Sequence, residues 1–250
     1  MTARTYRTLD ELDDLEEAAL DSTQAQRLEA LVVAATIFNQ NKLGYGLIGG
    51  TNFFLRGSNR TTTDVDIAVS NDRPMAEVLN MFNEEPRITR PAADKPMLWV
   101  SGVGRTFVAI GTQLVQVDLK SHGEGHSIPH DFEDETENIQ VGSTLVRFLK
   151  MAPLVRAKLR AHYIRETSDD YHDLRFACTD QRYAPLIKQA SHNYPYDERE
   201  LFIDKIVENH PMEEDAIRDV MNLPRNSRST SPTGSEDGIG VGTPVEASNQ

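Results

Sequence analysis

The sequence predicts an α+β fold followed by a helical region. Three observations carry the prediction. Short strand-like runs gather before residue 121, helical patterns dominate from about Ser143, and an acidic stretch with Gly and Pro, residues 121–140, lies between them as a loop. The expected division is 1–142 for the strand-bearing core with its N-terminal helices, 143–224 for a helical domain and 225–250 for a tail. The tail is rich in Ser, Thr, Gly, Pro and Asn with almost no bulky apolar residue. It cannot repay its ordering entropy and is expected to be disordered.

Each element has a local reason. Leu9–Leu20 is acidic and helical in pattern, and Gln24–Asn41 places Leu28, Leu31, Val32, Ala35 and Ile37 on an apolar stripe. Gly44 and Gly46 end that pattern. Tyr45–Ile48 reads as a short strand, and Thr51–Leu55 as a short helix behind Gly49-Gly50. Asp64–Val69 is a strand. Pro74 opens a helix over Met75–Phe82. Met97–Ser101 and Thr106–Ile110 read as strands, and Leu114–Lys120 alternates, with Val115 and Val117 on one face and Gln116 and Asp118 on the other. Two late helices cover Tyr183–Ser191 and Asp197–Leu223, with a break near Pro211.

Composition excludes several classes. A net charge of −13 over 250 residues argues against a general nucleic-acid binder, which shows a basic footprint. The local exception is residues 145–165, with six bases and no acid. One cysteine, Cys178, allows neither an internal disulfide nor a Cys-rich zinc site. The N-terminal residues show no apolar signal region, and no apolar run approaches the roughly 20 residues that span a bilayer. A soluble protein of the reducing cytoplasm is expected, with no membrane partner.

The chemistry concentrates in two places. Gly49-Gly50 is followed, after a gap of 13 residues, by Asp64-Val65-Asp66-Ile67. Acids at i and i+2 of a strand share a face, while Val65 and Ile67 anchor the other. Two such carboxylates repel unless a cation neutralises them. The glycine pair lets a backbone approach a phosphate closely. Asp118, on a later strand, supplies a third carboxylate. Three carboxylates on adjacent strands can hold two Mg²⁺ ions, which bridge phosphates and activate a hydroxyl for in-line displacement.

The pattern of a hydrophobic residue, Gly49-Gly50, a gap, Asp64 and Asp66 each followed by a hydrophobic residue, and a later strand Asp118 resembles the DNA polymerase β-like nucleotidyltransferase superfamily. Within it, Gly49-Gly50-Thr51, Arg60 and Thr63 ahead of the acids, and Lys158, Ala161, Arg165, Asp170, Asp173 and Leu174 later, look like the AbiEii type of toxin nucleotidyltransferases. The resemblance spans roughly residues 40–175. It implies a mixed β-sheet flanked by helices, and transfer of a nucleoside monophosphate from an NTP with Mg²⁺ (or Mn²⁺) as cofactor. It makes Asp64, Asp66 and Asp118 metal ligands and catalytic residues, with Asp118 on the second metal or acting as base. Gly49, Gly50, Thr51, Arg60, Lys158 and Asp170 would bind the nucleotide, Lys158 through the triphosphate. Asp173 and Arg56 are further candidates. The acceptor is a small molecule, a protein side chain or a tRNA end, the last disfavoured by net charge. The alternative is a non-catalytic nucleotide- or partner-binding module on the same fold.

Other motifs give less. Gly44-x-Gly46-x-x-Gly49 matches a dinucleotide fingerprint by letter, but its middle is itself the strand, whereas that motif follows one. His122, His126 and His130 repeat every four residues, but Gly123, Gly125 and Pro129 forbid the helix that would align them on zinc. Cys178 sits in a helical pattern and reads as a buried thiol.

Overall fold

A pair of capping boxes opens the chain. Thr8 accepts from the Glu11 amide while Glu11 returns to the Thr8 amide, and Thr23 and Gln26 repeat the arrangement. These caps start α1 (Leu9–Ala19) and α2 (Gln24–Gln40). The protein is described by a computed structural model covering residues 2–121 and 132–225. The histidines at 122, 126 and 130 and the tail from 226 lie outside the described residues.

The strands are β1 (Arg4–Tyr6), β2 (Tyr45–Ile48), β3 (Val65–Val69), β4 (Ile88–Pro91), β5 (Val103–Ile110), β6 (Gln113–Lys120), β7 (Thr136–Val141) and β8 (Thr144–Leu149). Among the described residues they form one mixed sheet in the order β1-β4-β5-β6-β3-β2-β8-β7. β3 runs parallel to β6 and antiparallel to β2. The inner strands carry Val, Ile and Phe on buried faces: Val65, Ile67, Phe107, Val115 and Val117 are all inaccessible. α2 packs on this sheet through Ala30, Leu31, Ala34, Ala35 and Phe38. Its alanines allow a close approach, and Phe38 fills the gap between Tyr45 and Phe82, with ring centroids 5.3 and 5.4 Å away.

Between strands lie α3 (Gly49–Leu55), α4 (Met75–Asn80) and the short α5 (Phe132–Glu135). The helical region is α6 (Met151–Arg165), α7 (Ser168–Thr179), α8 (Ala184–Ala190), α9 (Tyr196–Asn209) and α10 (Glu214–Val220). It has its own apolar cluster of Leu154, Val155, Leu159, Leu174, Phe202, Ile203 and Ile206, joined by Phe53 of α3. Arg56 ties the two halves. Its guanidinium donates to Asn52, to the Leu149 carbonyl and to Glu137, and lies 5.8 and 5.9 Å from the Tyr183 and Phe148 rings. Arg56, read from sequence as either a solvent-facing loop charge or a phosphate contact, is buried and engaged within the protein, since a buried guanidinium demands partners for its donors.

The α+β expectation holds: a mixed sheet flanked by helices is followed by a helical region. Several elements differ. Met97–Ser101, expected as a strand, lies within a 3₁₀ turn over Pro96–Gly102. Pro96 lacks a donor and fixes φ, which suits a turn better than a ladder. The strand Thr136–Val141 begins within the expected 121–140 loop, and Thr144–Leu149, expected to begin the helices, is its hairpin partner. The change from strand to helix falls at Lys150, which caps α6. Leu145, Arg147 and Leu149 alternate with Val146 and Phe148, and only Val146, Phe148 and Leu149 are buried; the half-buried Arg147 obscured the period of two. No described helix is long and apolar enough to cross a membrane.

Candidate active site

The site begins with strand alternation. Asp64 immediately precedes β3, and Asp66 is its second residue. Val65 and Ile67 are fully buried beneath, so the two carboxylates share the opposite face. The parallel register sets Asp66 directly beside Asp118 on β6. Asp64, Asp66 and Asp118 each offer an oxygen, and these atoms lie within 4.8 Å of one another. The three acids expected from spacing are therefore brought to one place.

Hydrogen bonds fix the first acid. Thr62 donates its hydroxyl to Asp64 Oδ1 at 2.9 Å, and Thr51 donates to the Asp64 carbonyl at 2.9 Å. Thr51 thus holds the backbone under the acid. Gly49 turns the chain from β2 into α3 with φ +63°. A Cβ there would lie 1.9 Å from Asp66 Oδ2. Only glycine serves, both for the left-handed backbone and for the space. At Gly50 a Cβ would meet Arg60 Nη1 at 2.3 Å.

Two cations that spacing did not single out complete the cluster. Lys120, two residues beyond Asp118 on the same face, places Nζ 2.5 Å from Asp66 Oδ1. Arg105, opposite Asp118 on β5, grips both of its oxygens, Nε at 2.9 Å and Nη2 at 3.1 Å, and also pairs with Glu16 of α1. Gln116 donates to Asp118 Oδ1 at 3.1 Å. The i+2 position of Lys120 was readable in the sequence. Arg105 required the β5–β6 register, which no local pattern gives.

Charge is unevenly compensated. The nearby Asp66 carboxylate, then burial, pushes Asp64 up to about 6. Burial alone would raise Asp66 as well, but Lys120, Lys158 and Arg165 outweigh it and hold that carboxyl below the usual range. Asp64 accepts from Thr62 and, among the described residues, has no cation at ion-pair distance.

A second cluster borders the first. Thr167 caps α7 through the Asp170 amide and donates to its carboxylate at 2.8 Å. Lys158 of α6 reaches Asp170 at 2.9 Å and Asp173 at 3.0 Å, with its Nζ 5.7 Å from the Phe53 ring centroid. Arg165 grips Asp170 with Nε at 2.6 Å and Nη2 at 2.8 Å. Arg60 joins Asp173 and Asp169, each at 2.8 Å. Asp170 is held well below the carboxylate range by Arg165 and Lys158 against the opposing effect of burial. Asp173 is raised because burial outweighs Lys158 and Arg60. Lys158, Arg60 and Asp170 are thus mutually engaged in a buried network that clamps α7 to the loop ahead of β3. Of its cations, Lys158 and Arg165 act on Asp66.

The donor set fits a hard divalent ion. All three ligands are carboxylate oxygens, the chemistry that suits Mg²⁺ or Mn²⁺ rather than a thiolate-seeking metal. The absence of a Cβ at Gly49 preserves the space at Asp66. A cavity of about 670 Å³ lined by Asn39, Lys42, Ser70, Asp72 and Arg147 opens at the other end of β2 and β3, and none of the three acids lines it.

No family model and no curated protein matches the chain. Among solved structures, the chain is similar to an antigenic nucleotidyltransferase-like protein from Paracoccidioides brasiliensis, at 14% identity and TM-score 0.47, over 78% of this chain and 94% of that one. It is similar to JHP933 from Helicobacter pylori at 19% identity and TM-score 0.44, over 80% and 90%. It is also similar to the antibiotic-resistance factor ANT(2″)-Ia at 12% identity and TM-score 0.40, over 77% and 97%. Likenesses this distant carry no functional argument.

Proposed function

We propose that the protein is a divalent-metal-dependent nucleotidyltransferase, moving a nucleoside monophosphate from an NTP to an acceptor with release of pyrophosphate. The observation that carries the reading is the convergence of Asp64, Asp66 and Asp118 within 4.8 Å beside the Cβ-free turn at Gly49. The AbiEii-type resemblance of the sequence agrees with it. Asp64, Asp66 and Asp118 would hold Mg²⁺, which when bound neutralises phosphate charge and lowers the pKa of an acceptor hydroxyl. Gly49 and Gly50 would bring bare backbone to the triphosphate, their missing Cβ atoms making room for Asp66 and Arg60, with Thr51 fixing the backbone below. Lys158 and Arg60 supply positive charge on its flank, and Asp170 holds Lys158 in place. The acceptor oxygen bonds to the α-phosphorus, the bond from that phosphorus to the bridging oxygen breaks, and the electron pair leaves with pyrophosphate. Asp118 accepts the acceptor's proton.

A small molecule, a protein side chain and a tRNA end remain the acceptor classes. The test is incubation with each α-³²P-labelled NTP in cell extract, followed by separation into protein, RNA and small molecules. Label transferred by the wild type and abolished in the folded Asp64→Asn/Asp66→Asn double variant supports the reading. Equal labelling by the double variant overturns it. One observation favours a non-catalytic nucleotide-binding module instead: both oxygens of Asp118 are engaged by Arg105. Metal-dependent NTP binding with no product over hours would select that reading.

A further inference from the structure

The acid cluster already contains cations. Three carboxylates bring three negative charges to one face of β3 and β6. Lys120 and Arg105 return two positive charges, and Glu16 draws on the second. Lys120 arises from the same strand alternation as Asp118. In the parallel register it lies opposite Ala68, two residues beyond the Asp66–Asp118 pair. Lys120 therefore stands on the acids' own face of the sheet, with its ammonium 2.5 Å from Asp66 Oδ1. Its side chain is only 20% exposed. A mobile surface lysine would not be held this way.

The three acids are therefore not equivalent. Asp66 has Lys120 and Asp118 has Arg105, whereas Asp64 has only the Thr62 hydroxyl, among the described residues. A divalent ion entering beside Asp64 meets a carboxylate that, among the described residues, has no cation at ion-pair distance and feels Lys120 only from farther off. A second one must enter beside Asp66, where a fixed ammonium stands within contact distance. The ammonium repels a divalent ion brought that close. Resting on the nucleotidyltransferase reading for what the cluster is for, we propose that Lys120 is a resident cation of the site, so that the cluster takes one divalent metal ion per chain, seated at Asp64, in place of two. Lys120 is then a positioning residue: its ammonium fixes the Asp66 carboxylate beside the shared ion.

The count is directly measurable. The full chain is titrated with Mn²⁺ alone, and the free ion is followed by its EPR signal. The wild type is expected to bind one Mn²⁺ per chain, Lys120→Met two, and Lys120→Arg, which keeps the charge, one. Two ions on the wild type, one ion on a folded Lys120→Met, or no binding by any of them overturns the proposal. Should Lys120→Met fail to fold by circular dichroism, the wild-type count alone decides, one ion supporting and two overturning. The two readings fail separately. A wild type that binds one Mn²⁺ but transfers no label removes the enzyme and leaves the resident cation. A chain that transfers label and binds two ions removes the resident cation alone.

Discussion

Replacing Asp64 by Asn is expected to make the protein more stable while removing metal binding. The reasoning is electrostatic. The Asp66 carboxylate and burial raise Asp64 from its ordinary 3.8 to about 6. Its charged form is therefore less favourable in the folded chain than in the unfolded one. The sign follows from linkage: with the folded value above the unfolded one, the group's contribution is fully present below pH 3.8 and lost as pH rises through about 6. At pH 7.5 the whole penalty applies. A shift of this size corresponds to about 3 kcal/mol at 1.36 kcal/mol per pKa unit. Since the acid is coupled to its neighbour and partly solvated, about 2 kcal/mol is the expected gain on neutralising it. Asparagine keeps an oxygen to accept from Thr62, so no hydrogen bond is lost. For a chain of this size, about 2 kcal/mol raises Tm by roughly 4–8 °C. The assay is thermal unfolding of both proteins in EDTA from pH 4 to pH 8. The gap should be widest above pH 6.5 and close towards pH 4. A variant less stable than wild type at pH 7.5, or a gap that ignores pH, would refute the reasoning.

Further outcomes follow from particular contacts. Gly49→Ala puts a Cβ against Asp66 in a backbone with φ +63°, and should cost about 2 kcal/mol or more from the left-handed residue and the clash together; chemical denaturation measures it, and an unchanged midpoint contradicts it. Lys158→Met leaves Asp173 with Arg60 alone and should destabilise by about 3 kcal/mol or more, since breaking a buried ion network strands a charge; a loss under about 1 kcal/mol would contradict the clamp between α6 and α7. His162 is 1% exposed and neither ring nitrogen has a hydrogen-bond partner among the described residues. Burial lowers its pKa, so its neutral form is favoured on folding and stability should fall as pH drops below about 6.5, where the unfolded histidine takes up a proton. His162→Phe should lessen that fall, and identical pH profiles for the two proteins would contradict the account.

Much of the site was legible because it rests on strand alternation. Asp64 and Asp66 share a face by their spacing alone, and Val117 and Leu119 flank Asp118 as core residues of β6. The glycines also announced themselves, since the turn at Gly49 needs a positive φ. What stayed hidden depends on partners distant in sequence. β1 and β4 are three and four residues long, too short for a period to show, and β4 includes Arg90 and Pro91, which do not read as strand. β7 was obscured by the acids around it. Arg105 reaches Asp118 only because of the hairpin between β5 and β6. Arg60 and Lys158 carry charges that suit a phosphate, but their use within the protein, clamping Asp169, Asp170 and Asp173, is a matter of helix packing that local sequence does not encode.

The most direct test is the Mn²⁺ affinity of three single variants, Asp64→Asn, Asp66→Asn and Asp118→Asn, each checked for folding. If the carboxylates of β3 and β6 share one ion, each substitution should weaken binding by at least about tenfold, the loss of one charged ligand. Full affinity in folded Asp118→Asn would mean that the third acid takes no part, and the shared site would be wrong.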